Sequence, residues 1–203
     1  MYLIKVEMDR RLPEVRRAVA DCQKMHQLIT GLFGTARQKS NILYRTNFVA
    51  DQLHLYLYAS QPVEEATSVR YRIVQRDITP WLEQLAAGQC WQFDLIASPS
   101  KKVSTERQKN SQRRILSQPS ERQAWLERKA EQSGFTLCQV SELEQIHVSG
   151  RHREEKGGTM YHDAYRYQGV LQIADADAFR EALRKGIGSG KAYGFGMMVV
   201  KRL

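Results

Sequence analysis

Residues 175–203 read DADAFREALRKGIGSGKAYGFGMMVVKRL, a run that passes from a helical pattern through glycines to an apolar end. Asp175 is a residue type that caps helices, and apolar residues recur behind it at helical spacing, which predicts a helix over 175–185. The stretch from Gly186 to Gly196 holds five glycines and is interpreted as a loop. The apolar residues of 197–203 predict a closing strand. A helix followed by a final strand is how a βαββαβ unit ends.

The same kinds of element precede this run back to the middle of the chain. A helix is predicted over 119–132, because the segment begins with Pro-Ser and Gly134 follows its end. Strands are predicted over 90–97 and 165–173, with a further strand inside 135–148. Together with the last helix and strand, these elements give the order β-α-β-β-α-β.

The first part of the chain shows this order as well. Alternating or apolar stretches predict four strands, over 2–8, 41–49, 53–60 and 69–75. Helices are predicted from Pro13 to Leu32, where Gly34 ends the helix, and over the short segment 62–66. A helical connector over 79–87 then leads to the second part.

Two copies of one element order place the chain in the α+β class, as two tandem ferredoxin-like domains of the RRM type, each βαββαβ. We predict an N-terminal domain over 1–80, a connector over 81–89 and a C-terminal domain over 90–203. No letter-by-letter repeat links the two parts, so this prediction rests on element order. A ferredoxin-like sheet leaves an open face, which suits single-stranded RNA.

The composition is that of a folded chain. Its 203 residues are 42% hydrophobic and 26% charged, which excludes intrinsic disorder and collagen-like sequence. The cysteines, Cys22, Cys90 and Cys138, lie far apart and form no CxxC, so neither a disulfide framework nor a zinc site is predicted. There is no HExxH, and Tyr161–Asp163 is interpreted as the end of a loop. No metal or other cofactor is expected.

Nothing in the sequence indicates a membrane or an export signal. No apolar run approaches the roughly 18 residues of a membrane helix. The N-terminus soon becomes charged, and it lacks the small-residue cleavage site of a secretory signal. We therefore expect a cytoplasmic location, where a reducing environment keeps the cysteines free.

The charge is strongly positive. Lys and Arg number 31 against 22 Asp and Glu, which gives a net charge of +9. Such an excess favours a polyanionic partner, since bound phosphates release counterions, while a merely soluble basic protein is the alternative. Two clusters are predicted to lie in loops: Lys101, Lys102, Arg107, Lys109, Arg113 and Arg114 in the first, and Arg151, His152, Arg153 and Lys156 in the second.

His26 lies in the first predicted helix, at a position where the apolar spacing favours an apolar side chain. One interpretation is a core histidine that is buried and hydrogen-bonded. The other is that the apolar stripe reaches a cleft there, where a group that titrates near neutrality can move protons. The residues alone leave both interpretations open.

The glycine-rich loop can bring backbone close to a phosphate and direct N–H groups at it. Gly188 and Gly190 supply such backbone, Lys191 supplies a charge, and Tyr193 supplies a ring on which a base can stack. The Walker pattern is absent because Ala192 follows the lysine. The dinucleotide fingerprint does not apply either, because this loop leads from a helix into a strand. RNA contact is predicted, and a tight turn that lets two sheets pack is the alternative.

Several stretches, taken together, resemble one known family. They are Met1–Val6, His26–Phe33, Ile42–Arg45, Ala97–Lys101, Ala124–Lys129, Gly169–Ile173 and Gly186–Met198. In this order they are similar to the CRISPR-associated endoribonucleases that process repeat RNA, specifically the CasE (Cse3) subfamily of the type I-E Cascade. The resemblance covers essentially the whole chain.

The resemblance implies two ferredoxin-like domains and a metal-independent cut at the base of the repeat hairpin in precursor CRISPR RNA. In that reaction the 2′-hydroxyl attacks the adjacent phosphate and leaves a 2′,3′-cyclic phosphate and a 5′-hydroxyl. His26 aligns with the family's catalytic histidine, which implies a role as general acid. The family has a tyrosine three residues earlier, where this chain has Gln23, and an amide cannot take a proton from the 2′-hydroxyl.

The resemblance also implies that the two basic clusters lie against the RNA stem, and that the protein keeps its product hairpin as a subunit of Cascade. A subunit that binds hairpin RNA without cutting it, with His26 as a packing residue, is the alternative function. A basic DNA-binding protein is a third, which predicts no preference for RNA over the same DNA hairpin.

Overall fold

The computed structural model describes residues 1–33, 41–63, 70–103, 112–151 and 158–203. The strands, in chain order, are β1 (Tyr2–Asp9), β2 (Leu43–Val49), β3 (Gln52–Ala59), β4 (Arg72–Asp77), β5 (Cys90–Ala97), β6 (Ser100–Val103), β7 (Gln112–Ile115), β8 (Phe135–Arg151), β9 (Thr159–Ile173) and β10 (Met198–Arg202). The helices are α1 (Pro13–Ala20), α2 (Cys22–Gly31), α3 (Thr79–Glu83), α4 (Pro119–Gln132) and α5 (Ala176–Lys185), with a short 3-10 turn over Lys191–Tyr193.

The two large sheets share one strand arrangement. The first has the order β2-β3-β1-β4 and the second the order β10-β5-β9-β8, and all pairs are antiparallel. In each, the first strand along the chain lies between the third and the fourth. This is the ferredoxin-like arrangement twice, so the predicted α+β fold class is confirmed. We call β1–β4 with α1 and α2 the N-terminal half, and β5–β10 with α4 and α5 the C-terminal half.

Each half buries one face of its sheet under its own helices. In β1 every second residue, Ile4, Val6 and Met8, is fully buried, as expected for a strand with one face in a core. These side chains share a cluster with Val15 of α1 and Ile29 of α2. The C-terminal half has a separate cluster that includes Phe93, Phe135, Phe179 and Leu183.

The two halves also contact each other directly. Leu43 and Tyr58 of the N-terminal half form a small apolar cluster with Met197, just before β10. Beside it, Arg45 of β2 forms an ion pair with Asp94 of β5. The apolar cluster holds the end of the glycine-rich loop against the N-terminal sheet, and the ion pair joins the two sheets.

The single helix predicted from Pro13 to Leu32 is wrong, because the chain breaks at Asp21. That residue has extended backbone angles, φ −149° and ψ 118°, and separates α1 from α2. The break changes which side chains face the core: Val19 is 36% exposed, whereas Met25 is only 6% exposed. The spacing of one continuous helix therefore predicts the wrong set of core-facing residues for part of this segment.

The basic segments are not simply loops. Lys101 and Lys102 lie in β6, and Arg113 and Arg114 lie in β7, where they pair across the hairpin in the register Lys101↔Arg114 and Lys102↔Arg113. Arg151 is the last residue of β8, so its predicted place in a loop is wrong. The remaining predicted contacts, Arg107, Lys109, His152, Arg153 and Lys156, lie outside the described residues.

Smaller corrections concern the connecting segments. Tyr161–Asp163 lies within β9 and does not end a loop. The connector helix is shorter than predicted and ends at Glu83. Pro62 and Val63 are not helical, and the rest of the segment predicted as a short helix lies outside the described residues, as does Gly34. None of the helices in the described ranges is long and apolar enough to cross a membrane.

Candidate active site

The N-terminus of α2 is fixed by a side-chain cap. The Asp21 carboxylate accepts hydrogen bonds from the backbone N–H groups of Gln23, at 2.8 Å, and Lys24, at 3.3 Å. These are two of the N–H groups that a helix leaves without an intrahelical partner. The cap makes a stable helix start directly after the break, and it sets the direction in which α2 leaves it.

His26 lies on the side of α2 next to the core-facing residues. Cys22, Met25 and Ile29 are buried, whereas His26 is partly exposed. The Thr30 hydroxyl donates a hydrogen bond to the backbone carbonyl of His26, at 3.0 Å. The imidazole is therefore held on a capped helix, at the boundary between the core and the surface.

A cavity of about 370 Å³ opens in front of His26. Thr30 and Tyr44 line it from the N-terminal half, and Lys191 and Ala192 line it from the glycine-rich loop. His26 thus lies at a cleft between the two halves and not in a sealed core. Its part in catalysis stays a prediction from the resemblance.

The end of α5 supplies further positive charge to this cavity. Arg184 and Lys185 line it beside Lys191, and both form ion pairs with Glu181 of the same helix. Burial lowers the pKa of Lys191, and the nearby charges of Lys185 and Lys129 lower it further. The cavity is a place where cations repel one another, so an anion there is favoured.

The shape of the glycine-rich loop requires its glycines. Gly190 and Gly194, on either side of the 3-10 turn, have left-handed backbone angles, with φ of 76° and 89°. At Gly188, where φ is 83°, a Cβ atom would lie 3.1 Å from the Trp125 ring. The glycines therefore let the loop pack closely, as a tight turn would, and RNA contact stays a prediction.

Tyr193 is already engaged within the protein. The Gln23 side-chain amide donates a hydrogen bond to the Tyr193 hydroxyl, at 3.3 Å. The His162 ring stacks on the Tyr193 ring, with centroids 3.9 Å apart and planes 20° apart. One face of the ring is thus covered, so its predicted stacking with an RNA base would have to use the other face.

The basic hairpin β6–β7 starts beside the same loop. Ser98 and Ser189 form an isolated β-bridge, and the hydroxyls of Ser100 and Ser189 lie 3.3 Å apart. Lys101 forms an ion pair with Glu121 at 3.0 Å but is exposed, as are Lys102, Arg113 and Arg114. The hairpin is thereby joined at its base to the loop that carries Lys191.

Sequence reasoning missed several cavity residues. They are Thr30, Asn41, Tyr44, Arg184 and Lys185. Arg184 and Lys185 lie in the last turn of α5, where basic residues commonly occur because they stabilise the helix dipole. Their positions in the sequence therefore do not indicate a functional site. Tyr44 follows an apolar strand pattern, and burial raises its pKa, so its hydroxyl stays protonated and donates to the Ala192 carbonyl at 3.2 Å. Across the described ranges, no group of three or more His, Cys, Asp or Glu could hold a metal ion.

Comparison with known proteins gives consistent matches over the whole chain. The family model described as CRISPR associated protein matches residues 1–202. The CRISPR-associated endoribonuclease Cse3 of Thermus thermophilus is 27% identical over 214 residues, which cover 98% of this chain and 99% of that protein.

Solved structures show the same fold. A Cse3 endoribonuclease bound to a 19-nucleotide RNA has a TM-score of 0.85 and 24% identity, with 99% of this chain and 100% of that chain covered. A chain of a CRISPR RNA-guided surveillance complex in a pre-nicking state has a TM-score of 0.76 and 24% identity, with complete coverage of both chains. These likenesses agree with the strand order described above.

Proposed function

Since the chain belongs to the family of CRISPR-associated proteins, we propose that it is a metal-independent endoribonuclease that binds the repeat hairpin of precursor CRISPR RNA and cuts at its base. The observation that carries the proposal is the cavity in which His26 and Lys191 lie together, supplied by different halves of the protein. The cleavage activity named for the similar Cse3 protein supports it.

The reaction is a transesterification within the RNA. The 2′-oxygen attacks the adjacent phosphorus, a P–O2′ bond forms, and the P–O5′ bond breaks. His26, as imidazolium, donates a proton to the departing 5′-oxygen, while the 2′-hydroxyl releases its proton to solvent, from which the imidazole is recharged. The products are a 2′,3′-cyclic phosphate and a 5′-hydroxyl. Proton transfer of this kind contributes roughly 10²- to 10⁴-fold in rate.

The cations of the cavity can stabilise the negative charge that develops on the phosphate group during the reaction. An extra negative charge appears on the phosphate oxygens as the 2′-oxygen attacks, and a fixed cation in a partly buried site stabilises it. Lys191 comes from the glycine-rich loop, and Arg184 and Lys185 come from the end of α5. Glu181 offsets part of the charge of the last two, so Lys191 is the principal cation of the proposal.

The step that removes the 2′-proton has no assigned side chain. Gln23 occupies the position where the family has a tyrosine, and its amide is bonded to the Tyr193 hydroxyl. In this proposal attack depends on holding the 2′-oxygen in line with the leaving 5′-oxygen, an effect that can supply several kcal/mol.

The RNA stem is proposed to lie along the basic hairpin. A-form RNA shows its phosphates and its shape to a protein more readily than its base edges. The register of β6 and β7 pairs Lys101 with Arg114 on one face of the hairpin and Lys102 with Arg113 on the other, so each face presents two positive charges. The proposed RNA-binding residues are Lys101, Lys102, Arg107, Lys109, Arg113, Arg114, Arg151, Arg153, Lys156, Gly188, Gly190, Lys191 and Tyr193.

We further propose that the protein keeps its product hairpin and remains a subunit of the Cascade complex, in the cytoplasm. The fold likeness to a chain of a CRISPR RNA-guided surveillance complex supports this part of the proposal. The alternative, a subunit that binds hairpin RNA without cutting it, is supported by the amide at position 23.

One assay separates the two functions. The repeat hairpin RNA from the neighbouring genomic array is incubated with the protein in EDTA, with and without a 2′-deoxy nucleotide at the scissile position. The endonuclease cuts in EDTA, produces a cyclic phosphate end, and fails on the deoxy substrate. An RNA that stays intact under all conditions, although the protein binds it, would establish the non-catalytic function instead. Equal binding of the same hairpin made of DNA would indicate a general nucleic-acid-binding protein.

A further inference from the structure

The Asp21 carboxylate connects two elements that are far apart in sequence. Its Oδ1 atom caps α2, as described above, and its Oδ2 atom accepts a hydrogen bond from the backbone N–H of Arg151, at 3.1 Å. Arg151 is the last residue of β8 and belongs to the second basic cluster. One side chain therefore joins the helix of His26 to the strand end that leads into those basic residues.

The same junction is tightly packed at Gly150. A Cβ atom at this position would lie 2.6 Å from the Cys22 sulfur, 3.0 Å from the Asp21 Oδ1 atom and 3.3 Å from the backbone nitrogen of Gln23. The β8 backbone thus approaches the first turn of α2 as closely as a residue without a side chain allows. The carboxylate bond and this close approach are two independent observations of one junction.

The junction lies close to the reacting groups. His26 is five residues beyond Asp21, about 7.5 Å along a helix that rises 1.5 Å per residue. A shift of the first turn of α2 therefore moves the imidazole by a similar amount. A displacement of about 1 Å at a reacting group can reduce a rate roughly a hundredfold.

We propose that Asp21 is a positioning residue of the cleavage reaction, which ties the His26 helix to the basic end of β8 so that RNA bound there sets the imidazole against the scissile phosphate. The inference rests on the proposed function. It assigns Asp21 no contact with the RNA, only the placement of a group that makes one.

An asparagine separates this role from simple capping. Asn caps helices about as well as Asp, so a residue that only caps tolerates the change. At the junction with β8, however, the amide oxygen is required for the cap and the amide NH2 group faces another N–H donor, Arg151 N. Asp21→Asn therefore removes the bond to β8 while it keeps the start of α2.

The chain offers a matched control in Asp175. Its carboxylate caps α5 through the N–H groups of Asp177, at 2.9 Å, and Ala178, at 3.0 Å, in the same manner as Asp21 caps α2. Asp175→Asn changes a cap of the same geometry on the other half. Gly150→Ala disturbs the same junction from β8, because the added methyl group would collide with Cys22 and Asp21.

The test measures single-turnover cleavage and equilibrium binding of the repeat hairpin RNA with full-length protein, at several pH values. We expect Asp21→Asn and Gly150→Ala to slow cleavage about tenfold or more, to change affinity less than about threefold, and to leave the shape of the pH profile unchanged. Asp175→Asn should leave both quantities within about twofold. Should Asp21→Asn fail to fold, Asp21→Ser keeps a capping hydroxyl and carries the same expectation.

Two results would overturn the inference and leave the proposed function intact: Asp21→Asn cleaves as fast as the wild type, or it loses cleavage and affinity in parallel with its melting temperature. A wild-type protein that binds the RNA but never cuts it would instead refute the proposed function, and the positioning role would fall with it.

Discussion

The two halves share a strand order but bring opposite kinds of chemistry to the cleft. The N-terminal half contributes a titratable group, His26, on a capped helix, together with neutral hydroxyls and amides. The C-terminal half contributes cations, from the glycine-rich loop and the end of α5, and also the basic hairpin. In the proposed function the proton donor and the phosphate site come from different halves, so the contact between the halves is itself part of the proposed active site.

The largest expected effect tests the contribution of the N-terminal half. His26→Ala should slow cleavage of the repeat hairpin RNA by about 10²- to 10⁴-fold, because it removes the proposed donor of a proton to the leaving oxygen. Affinity should stay within a few-fold, since most of the proposed phosphate contacts belong to the other half. Single-turnover cleavage and a binding titration measure the two quantities.

A matched control for this variant is His54→Ala. His54 lies on β3, between the buried residues Leu53 and Leu55, and therefore points away from the core that those residues form with the helices. Its loss should leave cleavage nearly unchanged. If both variants cut at the wild-type rate, the proton donor lies elsewhere, and the proposal that the N-terminal half supplies it is wrong.

A smaller effect is expected from the C-terminal half. Lys191→Met keeps the length of the side chain but removes its charge, and we expect a loss of about tenfold to a hundredfold in cleavage rate. Lys191→Arg should restore most of it. Lys129→Met serves as the control. Lys129 lies on α4 and is not among the described residues that line the cavity, although its charge lowers the pKa of Lys191. A loss of affinity with an unchanged rate of cleavage would make Lys191 a binding residue and not a group that stabilises the transition state.

The sequence predicted each half better than the cleft between them. The strand over 90–97 and the helix over 119–132 have the predicted bounds, because Pro119 and Gly134 mark the helix ends and the strand alternates regularly. The Asp175 cap also occurs as expected. These features depend on local backbone preferences, which a single sequence contains.

The errors have a common physical origin in tertiary contacts. The break at Asp21 interrupts a spacing that is compatible with one helix, and it is stabilised by a bond to Arg151, 130 residues away. The basic segment from Lys101 to Arg114 is predicted to be a loop, yet cross-strand pairing makes part of it a hairpin. Arg184 and Lys185 belong to the cavity only because α5 ends opposite α2.

The last expected effect is on stability and not on the rate of cleavage, and it tests the contact between the halves. The Asp94 carboxylate of β5 bonds to Arg45 of the N-terminal half and, within its own half, to Arg166 at 2.7 Å and Gln168 at 2.6 Å. Asp94→Ala leaves two arginines without this partner in a partly buried place. We expect the free energy of unfolding to fall by about 2 kcal/mol, and Asp94→Asn to lose about half as much. Urea unfolding at pH 7 measures both.

The pH dependence of this contribution identifies its cause. Burial raises the pKa of Asp94, but the hydrogen bonds from Arg166, Gln168 and Arg45 outweigh it, so the pKa lies below its ordinary value. A carboxyl whose pKa is lowered on folding stabilises the protein above its unfolded pKa of about 4, and the effect is lost as the pH falls through the folded value. The difference between wild type and Asp94→Ala should therefore shrink in acid. Asp177→Ala, which removes an exposed ion pair within α5, should show little difference at any pH. An equal loss for both variants at pH 7 would mean that the contact between the halves contributes no more than an ordinary surface pair.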